Sequence, residues 1–513
     1  MKNLAGLKIY NFYRISVKTN QFTPHKAIPP INLNAQDSFL INYGGRRSLR
    51  TKILGEKCVR HLSNRSANSG VFELLKVRNR FSKMYENVAF LETLPTESDI
   101  SCSSQRLMLY NGIIAQAHSG TYHLLPMGLR ALNKLKKVIN DGMESIGAQE
   151  LALPCLTPGD LWKTSGRWDT TGSELFKLKD RHNIDHCLGP THEEVITSLV
   201  ATHTNLSHRQ LPIKLFQITR KFRDEMAPKY GLLRGREFEM KDLYTFDSNP
   251  ADAKVTYEEV CGAYDGIFKR LGLKFVKVVG DTGNIGGQLS HEYHLTADVG
   301  EDNLVTCKRC DFGANEEMID KDNLEKHKCH KPGCDTDFTF TKGIEVGHAF
   351  LLGTKYSKLF KAAFLNEKQK RVTTEMGCYG LGVTRILAAV VEVLSEGNKI
   401  RWPKLMAPYQ ICIIPQKEGF KSEVTNQLAE NLYDALTSIR ALRSEVVIDD
   451  RTQLSIGKRV YHANRLGYPF TVAVGKKALE TPPKYELTNT YTGETQYLEM
   501  NEVLEALSQL ETL

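Results

Sequence analysis

Phe216-Gln217-Ile218-Thr219-Arg220-Lys221-Phe222-Arg223-Asp224-Glu225 returns as Arg236-Glu237-Phe238-Glu239-Met240-Lys241-Asp242-Leu243-Tyr244-Thr245-Phe246 after a loop holding Pro228 and Gly231. The alternation predicts two strands, over 213–225 and 236–246. Phe216, Ile218 and Phe222 fall on one face, and Gln217, Thr219, Arg223 and Glu225 on the other. One face packs while the other presents polar groups. A guanidinium there can hold a phosphate bidentately, and a carboxylate beside it can accept from an amino group. On the return strand Phe238 and Asp242 share a parity. Phe238 can stack on a planar base, and Arg234 can reach terminal phosphates. A surface hairpin carrying a solvated ladder of ion pairs explains the same residue types, and this stretch alone does not choose between the two.

Two further stretches bear on that choice. Gly377-Cys378-Tyr379-Gly380-Leu381-Gly382-Val383-Thr384-Arg385 predicts a strand and a glycine turn, then a helix ending at Gly397. Such glycines let a ligand or another backbone approach closely, and Arg385 falls in the first helical turn, where backbone N–H groups favour anions. Neither a P-loop nor a dinucleotide fingerprint is present. In Gly189-Pro190-Thr191-His192-Glu193-Glu194, Thr191 and Glu194 have the spacing of a capping box, which leaves Glu193 to face a ligand.

Elsewhere, 105–114 and 124–146 predict helices. In the second, Leu125, Leu129, Leu132, Leu135, Ile139 and Met143 recur at steps of three and four, and Gly147 fits the stop. Leu151 to Pro154 predicts a short strand. From Pro408 onward, the short apolar strands Ile411–Ile414, Val446–Ile448 and Phe470–Val474 alternate with helical stretches, the pattern of a small separate α/β domain.

The three polar stretches together resemble class II aminoacyl-tRNA synthetases. The strand-loop-strand matches the second motif of that superfamily. The glycine-rich stretch with Arg385 matches its third, and the helix leading to Pro154 resembles its first, the dimer-forming motif. The finer likeness is to prolyl-tRNA synthetases of the bacterial and mitochondrial kind. It is carried by Gly189 to Glu194, Arg234-Gly-Arg-Glu-Phe238, Ile285-Gly-Gly-Gln-Leu-Ser-His291-Glu, Glu345-Val-Gly-His348, Leu352-Gly-Thr-Lys-Tyr-Ser357 and Met376 to Gly382, in family order.

The resemblance implies an α+β catalytic domain on an antiparallel sheet with flanking helices, over 81–405, and an α/β anticodon-binding domain over 406–513. It implies ATP and Mg²⁺, with Arg223 and Arg385 as catalytic cations. The implied ATP set is Arg223, Glu225, Arg234, Phe238, Glu345, Thr354 and Arg385, with Glu345 helping to place Mg²⁺. Thr191, Glu193, His291, His348 and Gly380 would form the proline pocket. Arg451, Lys458 and Arg459 would contact the anticodon of tRNA(Pro), although Thr452-Gln-Leu-Ser-Ile456 departs from the usual pattern after Arg451. A homodimer is implied. A catalytically silent, nucleic-acid-binding relative is the competing reading, opposed by the retained Arg223, Glu225, Arg234 and Arg385.

Between Asp247 and Lys342 the chain is too short for the large editing insertion of bacterial relatives, so it is not expected to clear mischarged alanine itself. That interval carries a cysteine-rich knuckle over 306–335. Cys307-x-x-Cys310 and Cys329-x₄-Cys334 have the composition of a tetrahedral structural zinc site, and reduced thiols in a variable knuckle fit the same spacing.

Composition sets the remaining bounds. The chain has 513 residues and a net charge of +9. Residues 1–80 hold fifteen Lys and Arg against Asp37, Glu56 and Glu73, a net of +12, so the rest sums to −3, and a nucleic-acid partner cannot be argued from net charge but needs a local basic surface. That acid-poor segment, with Gly45-Arg-Arg-Ser-Leu-Arg50, has the composition of a mitochondrial transit peptide or of a disordered basic tail. A transit peptide would place the enzyme in the matrix. No apolar run reaches the ~18 residues of a membrane span.

Overall fold

A computed structural model describes residues 77–85, 100 and 102–513, apart from 284, 288, 311, 320–328, 330–333, 335 and 420. The expected leader over 1–80 lies outside the described residues up to position 76.

Helix α1 (Pro126–Glu144) opens on proline, whose fixed φ suits the first helical position. It buries Leu132, Leu135, Ile139 and Met143 completely, while Leu129 of the same periodic set is 43% exposed. Gly147 ends the chain's helical path at φ +70°, a conformation that only glycine takes without steric cost. Two sequence expectations shift here. The helix predicted over 105–114 ends at Tyr110, because Gly112 turns at φ +62° and Ile114 begins a strand. The strand predicted at Leu151–Pro154 does not form. Pairing occurs one step earlier, in β1 (Gln149–Glu150), because the Gln217 amide oxygen takes the Leu153 N–H.

The central sheet has nine strands. They are β1, β2 (Ile213–Phe222), β3 (Glu237–Asp247), β4 (Val276–Val279), β5 (Leu289–Thr296), β6 (Asp302–Cys307), β7 (Gly313–Asn315), β8 (Phe338–Gly353) and β9 (Glu375–Gly382). Their order is β5-β4-β7-β6-β8-β9-β3-β2-β1, antiparallel except for β1–β2 and β7–β4. Helices α2 (Glu193–Ala201), α3 (Pro250–Arg270) and α4 (Val383–Leu394) flank it. The α+β expectation holds.

The decisive hairpin therefore lies inside a sheet. β2 pairs with β3 from Ile213↔Phe246 to Phe222↔Glu237, and β3 pairs on its other side with β9. Both faces are covered: Phe216 and Gln217 are each 1% exposed. The solvated-ladder reading fails on that burial. The glycine turn is also corrected, because Gly377, Gly380 and Gly382 lie within β9 and α4 follows at once. A side chain at Gly377 would meet the Tyr379 hydroxyl at 2.3 Å, so that glycine serves packing.

A five-stranded C-terminal sheet comprises β10 (Ile411–Pro415), β11 (Val446–Ile448), β12 (Phe470–Val474), β13 (Tyr485–Asn489) and β14 (Thr495–Leu498), in the order β11-β10-β12-β13-β14. The three strands foreseen from sequence are its parallel part. Helices α5 (Ser422–Ser438) and α6 (Ile456–Leu466) pack on it. The core runs on from the central sheet into this module through Trp402, Cys412, Ile414 and Leu466. Lys134 on α1 also ties the two, donating to the Ala407 carbonyl at 2.7 Å and pairing with Glu445.

Candidate active site

The cleft opens over β3, β8 and β9 where the β2–β3 loop folds back. Arg223 and Glu225 do not lie on the strand, as parity had suggested. β2 ends at Phe222, and both sit just beyond, where the Arg223 N–H donates to the Arg236 carbonyl at 2.9 Å and the Glu225 N–H to the Arg223 carbonyl at 2.8 Å. Both still line the cleft.

Among the described residues, the Arg223 guanidinium makes no hydrogen bond and no ion pair. The Phe238 ring lies 5.3 Å away. Burial and the neighbouring Arg385 push its pKa down, with Glu345 pulling the other way. It nevertheless stays cationic, as arginine does in proteins. A half-buried cation with no carboxylate in ion-pair contact is costly unless an anion arrives.

The other arginines are held. Arg385, in the first turn of α4, donates to the Leu233 and Glu345 carbonyls at 2.9 Å each, and its Nη1 lies 3.3 Å from Glu345 Oε2. Arg234 donates to Glu225 at 3.0 Å and to Glu301 at 2.8 Å. Burial raises the Glu345 pKa, but His348 at 3.1 Å, with Arg385, holds it well below the usual carboxylate range. Glu345, Glu301 and Asp302 face one space beside Arg223 and Arg385. These hard oxygen donors fit Mg²⁺.

Thr191, His348 and Gly380 line the same cleft, with Cys378. A Cβ on Gly380 would meet only Met240 Sδ, at 3.6 Å. Glu193 lies one layer below with no exposure, accepting from the Thr191 hydroxyl at 2.7 Å, the Cys378 thiol at 3.1 Å and Arg167 at 3.0 Å. Arg167 also reaches Glu194 at 3.1 Å. Burial raises both carboxyls. Arg167, Thr191 and Cys378 more than offset this at Glu193, which ends below its ordinary value, while Glu194 ends above. The expected capping box is absent: α2 starts at Glu193 with His192 as its cap, and the Thr191 and Glu194 side chains are engaged with Glu193, Arg167 and Ser165.

Besides Glu193, two more of the expected residues do not line the cleft. His291 on β5 bonds the Tyr257 hydroxyl at 2.8 Å, and its pKa is pushed down to about 4, first by burial. Thr354 follows β8 at the N-cap position of the short helix Lys355–Phe360, without a side-chain capping bond. Conversely, sequence reasoning passed over Arg167 and the buried set in which Lys221 and Tyr244 bond Asp242 at 2.7 and 3.0 Å. Ser165-Gly-Arg-Trp168 shows a turn, but nothing in its spacing aims Arg167 at α2.

The four knuckle cysteines come together, all their sulfurs within 4.8 Å of one another. Cys307 and Cys334 are 3.5 Å apart, and Cys310 and Cys329 3.6 Å apart, as free thiols. In the C-terminal module Lys458 is exposed. Arg451 is bound bidentately by Asp449 at 2.9 and 2.7 Å. Arg459 is a correction: it is fully buried and donates to the Asp449 and Pro415 carbonyls, so it shapes the turn from beneath instead of reaching a ligand.

Residues 176–394 match the tRNA synthetase class II core domain (G, H, P, S and T), and residues 410–510 match an anticodon binding domain. The chain is 52% identical over 416 residues to a probable mitochondrial proline–tRNA ligase of Homo sapiens, spanning 81% of this chain and 86% of that one. The chain belongs to the proline–tRNA ligase family. The corresponding ligase of Schizosaccharomyces pombe is 43% identical, spanning 74% of this chain and 87% of that one. Among solved structures, a prolyl-tRNA synthetase of Cryptosporidium parvum shares the ligase fold at a TM-score of 0.63 and 18% identity, covering 79% of this chain and 74% of that one. Among the described residues of this ligase, no helix is long and apolar enough to cross a membrane.

Proposed function

We propose that the chain activates proline with ATP and transfers it to the 3′ end of tRNA(Pro), as a homodimer in the mitochondrial matrix. The observation that carries the reading is Arg223: a cation without a partner, between Phe238 and the Arg385–Glu345 pair, fits an α-phosphate and the charge that grows on it. Phe238 and Arg385 would sandwich adenine, Glu225 would accept from its amino group, and Arg234 would hold the γ-phosphate. Thr191, over the buried Glu193, would receive the prolyl ammonium, with His348 and Gly380 beside it. His291 and Thr354 would then act from behind the wall. Mg²⁺ held by Glu345 would spread the triphosphate charge.

The proline carboxylate attacks the α-phosphate in line, releasing pyrophosphate, and the tRNA hydroxyl then attacks the carbonyl of the adenylate, breaking the acyl–phosphate bond and releasing AMP and a proton. Catalysis is positioning and charge stabilisation, and no side chain is required to form a covalent bond. Exposed Leu129 on α1 supports the dimer, the basic leader supports import, and Lys458 with Arg451 supports a tRNA-facing module.

Pyrophosphate exchange with single amino acids tests the reading. Exchange with proline is expected. Exchange only with threonine, glycine or histidine would overturn the specificity, and none at all would favour the silent relative. Gly380→Ala is expected to leave stability nearly unchanged, since its Cβ meets only ordinary contact. It should raise the KM for proline by roughly the tenfold that one methyl group commands in a filled pocket.

We also assign a structural zinc to Cys307, Cys310, Cys329 and Cys334. Four sulfurs at ~2.3 Å from one ion lie ~3.8 Å apart, close to the spacing observed. Metal analysis of the purified protein is expected to return about one zinc per chain, lost in Cys329→Ser. Four titratable thiols in a metal-free, folded protein would refute it.

A further inference from the structure

Residues 77–85 do not belong with the catalytic sheet. They lie along the outer edge of the C-terminal sheet, beside β11. The Ile448 N–H donates to the Asn79 carbonyl at 2.9 Å, and Arg80 bridges Ile448 in the parallel sense. Arg78 clamps Asp434 on α5 at 3.0 and 2.7 Å, and the Asn79 N–H donates to the Tyr433 hydroxyl. Because the single Arg80–Ile448 bridge is parallel, the residues after Arg80 run on past the carboxyl end of β11. There the turn Phe81–Lys83 meets the Asp449–Arg451 loop. Ser82 donates to Asp450 twice, at 2.8 and 2.7 Å, and the Arg451 guanidinium lies 3.7 Å over the ring of Phe81, which is 4% exposed.

That end of the sheet is where an open α/β sheet offers a crevice. β10 has β11 on one side and β12 on the other, so the chain reverses its lateral direction there, and ligands bind at such points. Exposed Lys83, Lys417 and Lys458 lie in segments that emerge from this end.

We propose that the strap Val77–Met84 is an integral part of the surface receiving the anticodon end of tRNA, resting on the ligase reading above. Phe81 and Ser82 are positioning residues: they fix Arg451 and Asp450 from the side that the sheet leaves open. Lys83 supplies a phosphate contact at the rim. The boundary expected between leader and body at residue 80 thus cuts through a functional element.

The test uses the full chain. Lys83→Glu alters an exposed side chain only. It is expected to raise the KM for tRNA about 3–10-fold and to flatten its salt dependence, with kcat and proline-dependent exchange unchanged. Phe81→Ala should raise the tRNA KM roughly tenfold with exchange within about twofold, and Phe81→Tyr should restore it. An unchanged tRNA KM in both variants would overturn the proposal. So would a parallel fall of exchange and charging in Phe81→Ala, which marks a mere brace. Absence of exchange in the unsubstituted chain would instead overturn the ligase reading, and this inference with it.

Discussion

Replacing Arg223 by alanine is expected to lower proline-dependent pyrophosphate exchange by ~10³-fold while the protein stays folded. Of the three arginines that line the cleft, Arg223 alone makes no ion pair with a described residue: Arg385 is tied to Glu345, and Arg234 to Glu225 and Glu301. Removing it breaks no ion pair of the resting protein, so thermal stability should hold or rise, since a desolvated charge is relieved. The loss appears when charge builds on the α-phosphate, and kcat should therefore fall more than the KM for ATP rises. Arg223→Lys should recover little, because an ammonium cannot reproduce the planar fork. A variant retaining more than about a tenth of the activity would show that the phosphate lies elsewhere.

Glu193→Gln is expected to cost ~10²-fold in kcat/KM for proline, with the KM for ATP changed little. The amide keeps the shape but removes the negative charge that supports Thr191 and would balance the prolyl ammonium. Folding should survive. Breaking a buried pair costs ~3–5 kcal/mol when a charge is stranded, but Arg167 keeps Glu194. The pH dependence follows from the direction of the shift. Arg167 holds Glu193 below its ordinary value, so the carboxylate persists as acid is added, and the proline KM should stay flat from pH ~8 down to ~5. Removing the arginine should reverse this: in Arg167→Gln, burial alone raises the Glu193 carboxyl, and the proline KM should climb as pH falls through that range. A wild-type KM already rising near pH 6 would mean that Glu193 is not held ionised.

Several parts of the site were legible in the chain. Arg223, Glu225, Arg234, Phe238, Glu345 and Arg385 surround one space, as their motifs implied. Their setting was not legible. Parity placed Arg223 and Glu225 on a strand that in fact stops at Phe222, since where a strand ends depends on its partner and not on its own alternation. The Thr191–Glu194 spacing is that of a capping box, but local hydrogen bonds lose to a buried guanidinium arriving from residue 167. His291 and Thr354 sit in recognisable motifs yet do not line the cleft, and Arg459, read as a surface cation, is buried.

By itself, the sequence determined which segments become strands and helices wherever periodicity was long and capped, as in α1 with its Gly147 stop and in the parallel strands of the C-terminal module. It also determined which side chains are chemically suited to hold a phosphate or a metal ion, because that is a property of residue type and spacing. Only the tertiary structure decided that the hairpin lies between β9 and β1 and not in solvent, that Arg167 underpins Glu193, that four cysteines from two distant pairs converge, and that residues 77–84 lie along the edge of the C-terminal sheet. Each of these joins groups tens to hundreds of residues apart. Such contacts arise from burying apolar surface around buried charges that must find partners, and no local pattern encodes where those partners come from.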